Sequence, residues 1–303
     1  MLVSVIIPVY NCADTLELLY QSLQLQTYQN LEIIFVDNGS TDHSYEVLKK
    51  IAQQDRRVTI LMEQQRGVSF ARKKGWQHAR GEYIYFIDGD DYVASHGIET
   101  MVEIALKTKA DNIIGSYSLY RDEFGLETCI TLEKRCKKYE IHDADHMCFH
   151  YTPPLWAHLY KRELICENFF VPLNQLEDYL FNWYVYVTAR KSVLTSKEVY
   201  FYNKQITNGL SSLTYLPAPV NFLKQVSKFL QYCMNLDVLE QYEEDVKKLL
   251  NRRFKILERK ITEIEENNMM IYTKNELETM KEEIRQILYL LDLKEDVHYV
   301  KKR

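Results

Sequence analysis

Val3-Ser-Val-Ile-Ile7, ended by Pro8, is the stretch whose reading decides the fold. Four of its five residues are β-branched and apolar, as in a strand buried on both faces. Asp14-Thr-Leu-Glu17 then reads as a capping box opening a helix that buries Leu16, Leu19, Tyr20 and Leu23. Leu31 to Val36 is a second apolar run, followed by the turn Asp37-Asn-Gly-Ser40. Thr41 or Asp42 caps a second helix that buries Val47, Leu48 and Ile51. Val58 to Met62 makes a third strand, Val68 to Ala79 a helix, and Tyr83 to Ile87 a fourth strand. Strands alternating with single helices predict right-handed, parallel βαβ units, hence an α/β fold. Ligands of such sheets bind beyond the carboxyl ends of the strands. Pro8, Asp37 and Asp88 all stand at such ends.

Outward from this core the pattern loosens. Between Ala110 and Tyr215 the sequence predicts short strands such as Asn112 to Tyr117 and a helix from Asp178 to Ala189. Past Pro217 and Pro219 the composition shifts to charged helix. Leu250, Phe254, Leu257, Ile261 and Ile264 repeat at spacings of four and three. Leu277, Met280, Ile284, Leu288 and Leu291 repeat likewise after a Thr273-Lys-Asn-Glu276 capping box. Such helices can fold back on the rest of the chain, pair with another subunit as a homo-oligomer, or lie on a membrane. Near balance of acidic and basic residues favours packing over a membrane surface. The reading divides the chain into residues 1–215, with halves 1–110 and 111–215, and a helical region 216–303.

The net charge of −5 argues against nucleic acid as the main partner, because phosphate binding needs a concentrated positive surface. No run of about 18 uncharged apolar residues is present to span a membrane. The apolar start lacks basic residues and breaks at Pro8, which suits a strand better than a signal peptide. Six cysteines without regular spacing read as reduced thiols, hence a cytoplasmic protein with at most peripheral membrane contact. His142, Asp143, Asp145, His146, Cys148 and His150 are dense enough to suggest a metal site, but His142 and His146 at i and i+4 fit an ordinary helix start. Among 23 tyrosines only Tyr10 has a specific ligand reading, and the others are assigned to core or surface.

Asp88-Gly-Asp-Asp91 carries the strongest chemical signal. Three carboxylates within four residues at a strand end repel one another unless a cation, hydrogen bonds or solvent compensates. Hard oxygen ligands suit Mg²⁺ or Mn²⁺, which keeps waters and bridges substrate phosphates. A solvated acidic turn is the alternative for this segment taken alone.

The ordered set Val3 to Asn11, Gln26-Thr-Tyr28, Leu31 to Asp42, Gly67-Val-Ser-Phe-Ala-Arg72, Gly75, Ala79-Arg-Gly81 and Tyr83 to Asp91 resembles family 2 glycosyltransferases. A weaker likeness continues through Leu155 to Arg162, Leu176 to Tyr179 and Tyr200 to Ser212. The resemblance implies the GT-A fold, a Rossmann-like nucleotide-binding sheet with helices on both faces, here with a C-terminal α-helical extension. By the same resemblance the donor is a nucleotide-sugar and the acceptor a glycan or lipid-linked hydroxyl, in surface-polysaccharide assembly. Asp90 is implied as direct metal ligand, Asp88 as ligand of the water shell and ribose contact, and Asp91 as a supporting acid. Gly89 is implied to lie against the nucleotide-sugar. Asp37 is implied to accept a hydrogen bond from the ring N–H of a base such as uracil, beside Pro8, Val9 and Tyr10, and Arg72 to reach the nucleotide. Asp178 is implied as the base of an inverting transfer, with Glu177 facing the acceptor and His158 as an acceptor contact. A position near the α-helix N-terminus is expected to keep Asp178 ionised. The sequence departs from the family pattern at Asn38, Gln65 and Lys73. A nucleotidyltransferase would want a glycine-rich loop after strand one, which Pro8-Val-Tyr-Asn11 lacks. A binding or scaffold protein on the same fold is disfavoured by the intact Asp88, Asp90 and Asp178.

Overall fold

A computed structural model describes residues 1–121, 125–130, 141–143, 154–173, 176–203, 219–238 and 241–248, with isolated positions between 275 and 287. The first half follows the alternation of the sequence: β1 Val3–Val9, α1 Leu16–Gln24, β2 Leu31–Asp37, α2 Ser44–Gln54, β3 Val58–Met62, α3 Val68–His78 and β4 Tyr83–Phe86. Three parallel pairings, β3 with β2, β2 with β1 and β1 with β4, set Val9 opposite Asp37 at the rim.

Beyond β4 the sheet is mixed. β5 Tyr92–Val93, α4 Gly97–Thr108, β6 Asn112–Arg121, β7 Gly125–Ile130, β8 Ile141–Asp143, β9 His158–Lys161, α5 Glu177–Thr188 and β10 Ser192–Asn203 complete the order β3-β2-β1-β4-β9-β6-β10-β5, with β7 on β6 and β8 on β10. β9 runs antiparallel to both β4 and β6. β10 runs parallel to β6 through register shifts, then antiparallel to the two residues of β5.

Helices cover both faces. Val3, Val5, Ile7 and Val9 join Leu16, Leu19, Leu23, Leu48 and Ile51 in one core. Ile6 points the other way, where α3 comes so close that a β-carbon on Gly75 would stand 2.4 Å from the Ile6 Cγ2. Successive strand residues alternate faces, so β1 is apolar at every position but Ser4 because each face meets helices.

At the end of the sheet opposite the loops, Glu32 is buried and gathers donors. The hydroxyl of Ser4 and the N–H of Arg80 donate to it, as does the N–H of Gly81 at 2.9 Å. Burial pushes the Glu32 pKa up, yet these donors outweigh it and hold the acid below its ordinary value. A β-carbon on Gly81 would stand 2.6 Å from the Ser4 nitrogen. Gly81→Ala therefore costs about 1–3 kcal/mol by overpacking, read as a lower urea midpoint at constant slope. A midpoint equal to wild type would show that β1 yields freely there.

Local signals fail in two places. The Asp14–Glu17 capping box does not form: Thr15 precedes α1 without a side-chain cap, and its hydroxyl donates to the Gly89 carbonyl at 2.7 Å. His142 and Asp143 lie in β8, paired with Leu194 and Val193, and not in a helix start. Pairing with a long strand overrides the local capping signal. Positions 144–150 of that cluster lie outside the described residues.

The chain separates into two compact units, Met1–Asp145 with Thr152–Thr214, and His146–Tyr151 with Tyr215–Arg303. In the second, α6 spans Pro219–Asn235 and buries Leu223, Val226, Phe229, Leu230 and Cys233, an i, i+3, i+4 stripe. The heptad-like series from Leu250 and the end of the weaker likeness, Asn208 to Ser212, lie outside the described residues. Among the described residues no helix is long and apolar enough to cross a membrane, and Cys12, Cys166 and Cys233 are free thiols.

Candidate active site

The loops after β1 and β2 are fastened to each other. The Asn11 N–H donates to the Ser40 hydroxyl, the Thr41 N–H to Asn11 Oδ1 at 2.8 Å, the Cys12 N–H to the Ser44 hydroxyl, and the Ala13 N–H to Asp42. Asn11 takes a positive φ of 53°, which its short amide side chain tolerates. The result fixes Pro8, Val9 and Tyr10 beside Asp37. Val9 is buried, whereas Tyr10 is 46% exposed with the Arg66 guanidinium 5.6 Å from its ring centre. Asp37 is buried and receives the Ser40 N–H on Oδ1, with no described protein donor on Oδ2.

Asn38 explains its departure from the family pattern. Its amide donates to the carbonyls of Glu63 at 3.0 Å and Gln65 at 2.8 Å, while its oxygen accepts the Gly67 N–H at 2.8 Å. An aspartate can make only the last of these contacts. Asn38→Asp therefore leaves two carbonyls without donors and faces them with a carboxylate, costing about 1–3 kcal/mol. Faster hydrogen exchange at Gly67 and a lower urea midpoint are the expected readings. Unchanged protection would mean that the loop is held elsewhere.

The four residues after β4 fall into different environments. Asp88 is 30% exposed, and its Oδ1 accepts from Arg72 at 2.7 Å. Gly89 passes so close to the β1 loop that a β-carbon would meet Cys12 Sγ at 2.9 Å. Asp90 is half-buried without an ion pair among the described residues, and burial together with the Asp88 charge pushes its pKa up to about 6. Asp91 is fully buried, one oxygen receiving the Tyr200 hydroxyl at 2.6 Å and the other the Asn203 N–H at 2.8 Å. With a protein donor on each oxygen and no exposed surface, Asp91 supports the loop from within. Among the described residues no three His, Cys, Asp or Glu side chains converge as a closed metal cluster.

Tyr200 is a functional neighbour that the sequence reading passed over. Its hydroxyl donates to Asp91 and accepts the Asp88 N–H at 3.2 Å, and its ring stacks on Trp156 at 4.4 Å. The signal was hidden because it depends on β10 meeting the two-residue β5.

The second acidic pair opens α5. Leu176 precedes it at φ 65°, a left-handed conformation that costs a β-carbon-bearing residue energy and marks a constrained junction. Glu177 Oε1 accepts from Arg72 at 2.9 Å. Asp178 receives the Tyr179 N–H at 2.8 Å. The expectation that its helix N-terminus keeps Asp178 readily ionised needs correcting. Burial, reinforced by Glu177, raises its pKa to about 7 despite the opposing charge of Arg72. Desolvation outweighs the helix end and the cation.

Arg72 and His158 are both enclosed, and only His158 is thereby removed from the role that the resemblance implies. Arg72 is 4% exposed, and its terminal nitrogens engage Asp88 and Glu177 instead of pointing outward. His158 has no exposed surface: its ring stacks on Tyr160, its Nδ1 lies 3.1 Å from Asn112 Oδ1, and burial drives its pKa down to about 3. A neutral, enclosed imidazole within the sheet has no face to offer an acceptor. Asp37, Tyr10, Asp88 and Asp90 thus gather at the strand ends, and Arg72 links them to Glu177.

Comparisons with known proteins fit this arrangement. The chain is 30% identical over 210 residues to glycosyltransferase GlyA of Streptococcus pneumoniae serotype 4, covering 66% of the chain and 30% of GlyA. It is 32% identical over 226 residues to the glycosyltransferase EpsJ of Bacillus subtilis strain 168, covering 72% of the chain and 65% of EpsJ. The chain therefore spans less than two thirds of the length of either relative. Staphylococcus aureus TarS residues 1–349, solved with UDP-GlcNAc, superposes with a TM-score of 0.75 at 18% identity, over 96% of this chain and 82% of TarS. That likeness establishes the GT-A fold. The profile of Glycosyl transferase family 2 matches residues 4–163. With more than half of its length matched and its aspartates gathered at the strand ends, the chain belongs to glycosyltransferase family 2.

Proposed function

We propose that this protein is a metal-dependent inverting glycosyltransferase that moves a sugar from a UDP-sugar to a hydroxyl of a glycan or lipid-linked acceptor in surface-polysaccharide assembly. The observation that carries the reading is the single guanidinium of Arg72 between Asp88, at the end of β4, and Glu177, which adjoins Asp178 at the start of α5. A donor-side acid and an acceptor-side acid belong to one centre.

Asp90 suits a Mg²⁺ or Mn²⁺ site: its carboxylate is desolvated, repelled by Asp88 and unpaired among the described residues. Asp88 would hold the ion through its water shell. A hard cation commonly uses one or two protein carboxylates and takes its remaining ligands from water and phosphate, so a closed protein cluster is not required. When bound, it neutralises charge growing on the departing diphosphate.

The chain's own residues do the rest. Asp37 Oδ2 accepts the uracil N–H, the exposed ring of Tyr10 covers the base, and Arg66 stands over that ring. Asp178 takes the proton from the acceptor hydroxyl as that oxygen attacks the anomeric carbon. The carbon–oxygen bond to the diphosphate breaks in the same in-line step, so the anomeric configuration inverts. A base with a pKa near 7 is matched to neutral pH and contributes about 10²–10⁴-fold in rate.

A thermal-shift screen of UDP-, GDP-, CDP- and dTDP-sugars with Mn²⁺ tests the donor assignment, with UDP-GlcNAc the first ligand to try. UDP-sugars should raise Tm with increasing concentration, as ligands of the native state do. A rise with another nucleotide alone would remove uracil from the reading, and no rise with any would remove the donor site.

A further inference from the structure

We propose that Arg72 is a positioning residue for the transfer reaction, holding the donor-side acid Asp88 and the acceptor-side acid Glu177 in fixed register with one side chain. This rests on the reading of Asp178 as the base.

Three elements meet at this guanidinium. Arg72 comes from the middle of α3, Asp88 from the end of β4 and Glu177 from the start of α5. Its side chain is 5% exposed, with contacts of 2.7 and 2.9 Å to the two acids. A buried guanidinium is tolerable only when paired, and this one is still incompletely satisfied, because its Nε has no partner among the described residues. Stability alone is weakly served by a buried ion cluster with one donor left over, which points to what its fork holds in place. Lysine has one compact charge and cannot span two carboxylates with the same planar geometry.

The described charged and titratable groups around Asp178 are Glu177 on its own helix, Arg72 from α3, Asp88 from β4 and the Tyr160 hydroxyl from β9. Of these, Arg72 alone favours the ionised base. Removing it deletes a cation and leaves Glu177 unneutralised, and both changes hold the Asp178 proton more tightly. The acid limb of the rate profile therefore reports whether Arg72 acts through the centre.

The test measures Mn²⁺-dependent turnover of a UDP-sugar against pH, with water or an added glycan as acceptor. Arg72→Gln should move the acid limb of kcat upward by at least one pH unit, a loss of about fivefold or more at pH 7 that is recovered at higher pH. Adding Glu177→Gln to that variant should bring the limb back toward wild type, because the unpaired negative charge is removed with its partner. Should Arg72→Gln fail to fold by circular dichroism, Arg72→Lys is the alternative. It should keep the limb in place, lower kcat about tenfold and leave the donor KM within about twofold. A raised donor KM with an unmoved limb would make Arg72 a nucleotide contact and overturn the inference. In Arg72→Gln an equal loss at every pH, or in Arg72→Lys a kcat equal to wild type, would reduce it to a structural role. If Asp178→Asn turns over as fast as wild type, the parent reading of the base fails instead.

Discussion

Asp178→Asn binds the nucleotide-sugar as tightly as wild type and turns it over at least about 100-fold more slowly. Asparagine keeps the shape and can still receive the Tyr179 N–H, but it cannot take a proton. Because Asp178 lies on the acceptor side, donor affinity measured by calorimetry should stay within about twofold while the chemical step slows. In wild type the rate should rise with pH along a limb near 7, where the base ionises. Stability moves in the opposite direction. An acid raised from its ordinary 3.8 to about 7 binds its proton more tightly in the native state, so its favourable contribution is greatest at low pH and is lost as pH rises through 7. Asn, always neutral, should therefore unfold at a higher temperature than wild type at pH 8 and at nearly the same temperature at pH 4. Loss of activity together with a lower Tm at pH 8 would indicate a damaged fold and leave Asp178 without its role.

Asp90→Asn abolishes Mn²⁺-dependent binding of UDP. Asp90 is desolvated beside Asp88 without a described ion pair, so the ligand-free protein bears the cost of that charge. The sign is the same as for Asp178: the raised acid disfavours ionisation, and the penalty develops as pH rises through about 6. Without ligand, the variant should gain a few degrees in Tm at pH 7.5, since roughly 1 kcal/mol moves Tm by about 2–4 °C at this size. With Mn²⁺ and UDP the order reverses, because wild type alone gains from binding. This crossing of two melting curves is what separates a ligand-holding acid from a merely structural one. UDP binding that stays Mn²⁺-dependent in the variant would remove Asp90 from the metal site.

The first four strands were readable because buried parallel strands leave mostly apolar runs, as Val3 to Val9 and Leu31 to Val36 do with Ser4 and Glu32 as their single polar residues. Beyond them the strand from Asn112 and the helix from Asp178 were legible, but the order of the sheet was not. Asn112–Arg121 and Ser192–Asn203 carry polar residues within long strands, and their pairing is decided by partners about 80 residues away. Local signals also gave way where tertiary bonds were better: Thr15 turned from capping its helix to the carbonyl of Gly89.

At the site, the acids were visible as a motif at a strand end, but their environments were not. Identical carboxylates at Asp90 and Asp91 differ because one lacks described partners and the other has Tyr200 and Asn203. No spacing rule predicts the bond from Arg72 to Glu177, which joins residues 105 positions apart. For Asp178 the sequence indicated the place, a helix start, but burial was the larger influence and only packing reveals it.

The central claim is a single in-line displacement assisted by one base. It is tested most directly by following turnover of an α-linked UDP-sugar by proton NMR, with Mn²⁺ present and water or a glycan as acceptor. The account predicts that the first-formed product carries the β anomeric configuration, and that Asp178→Asn forms it at least about 100-fold more slowly. A first-formed α product, or equal rates in the two proteins, would contradict it.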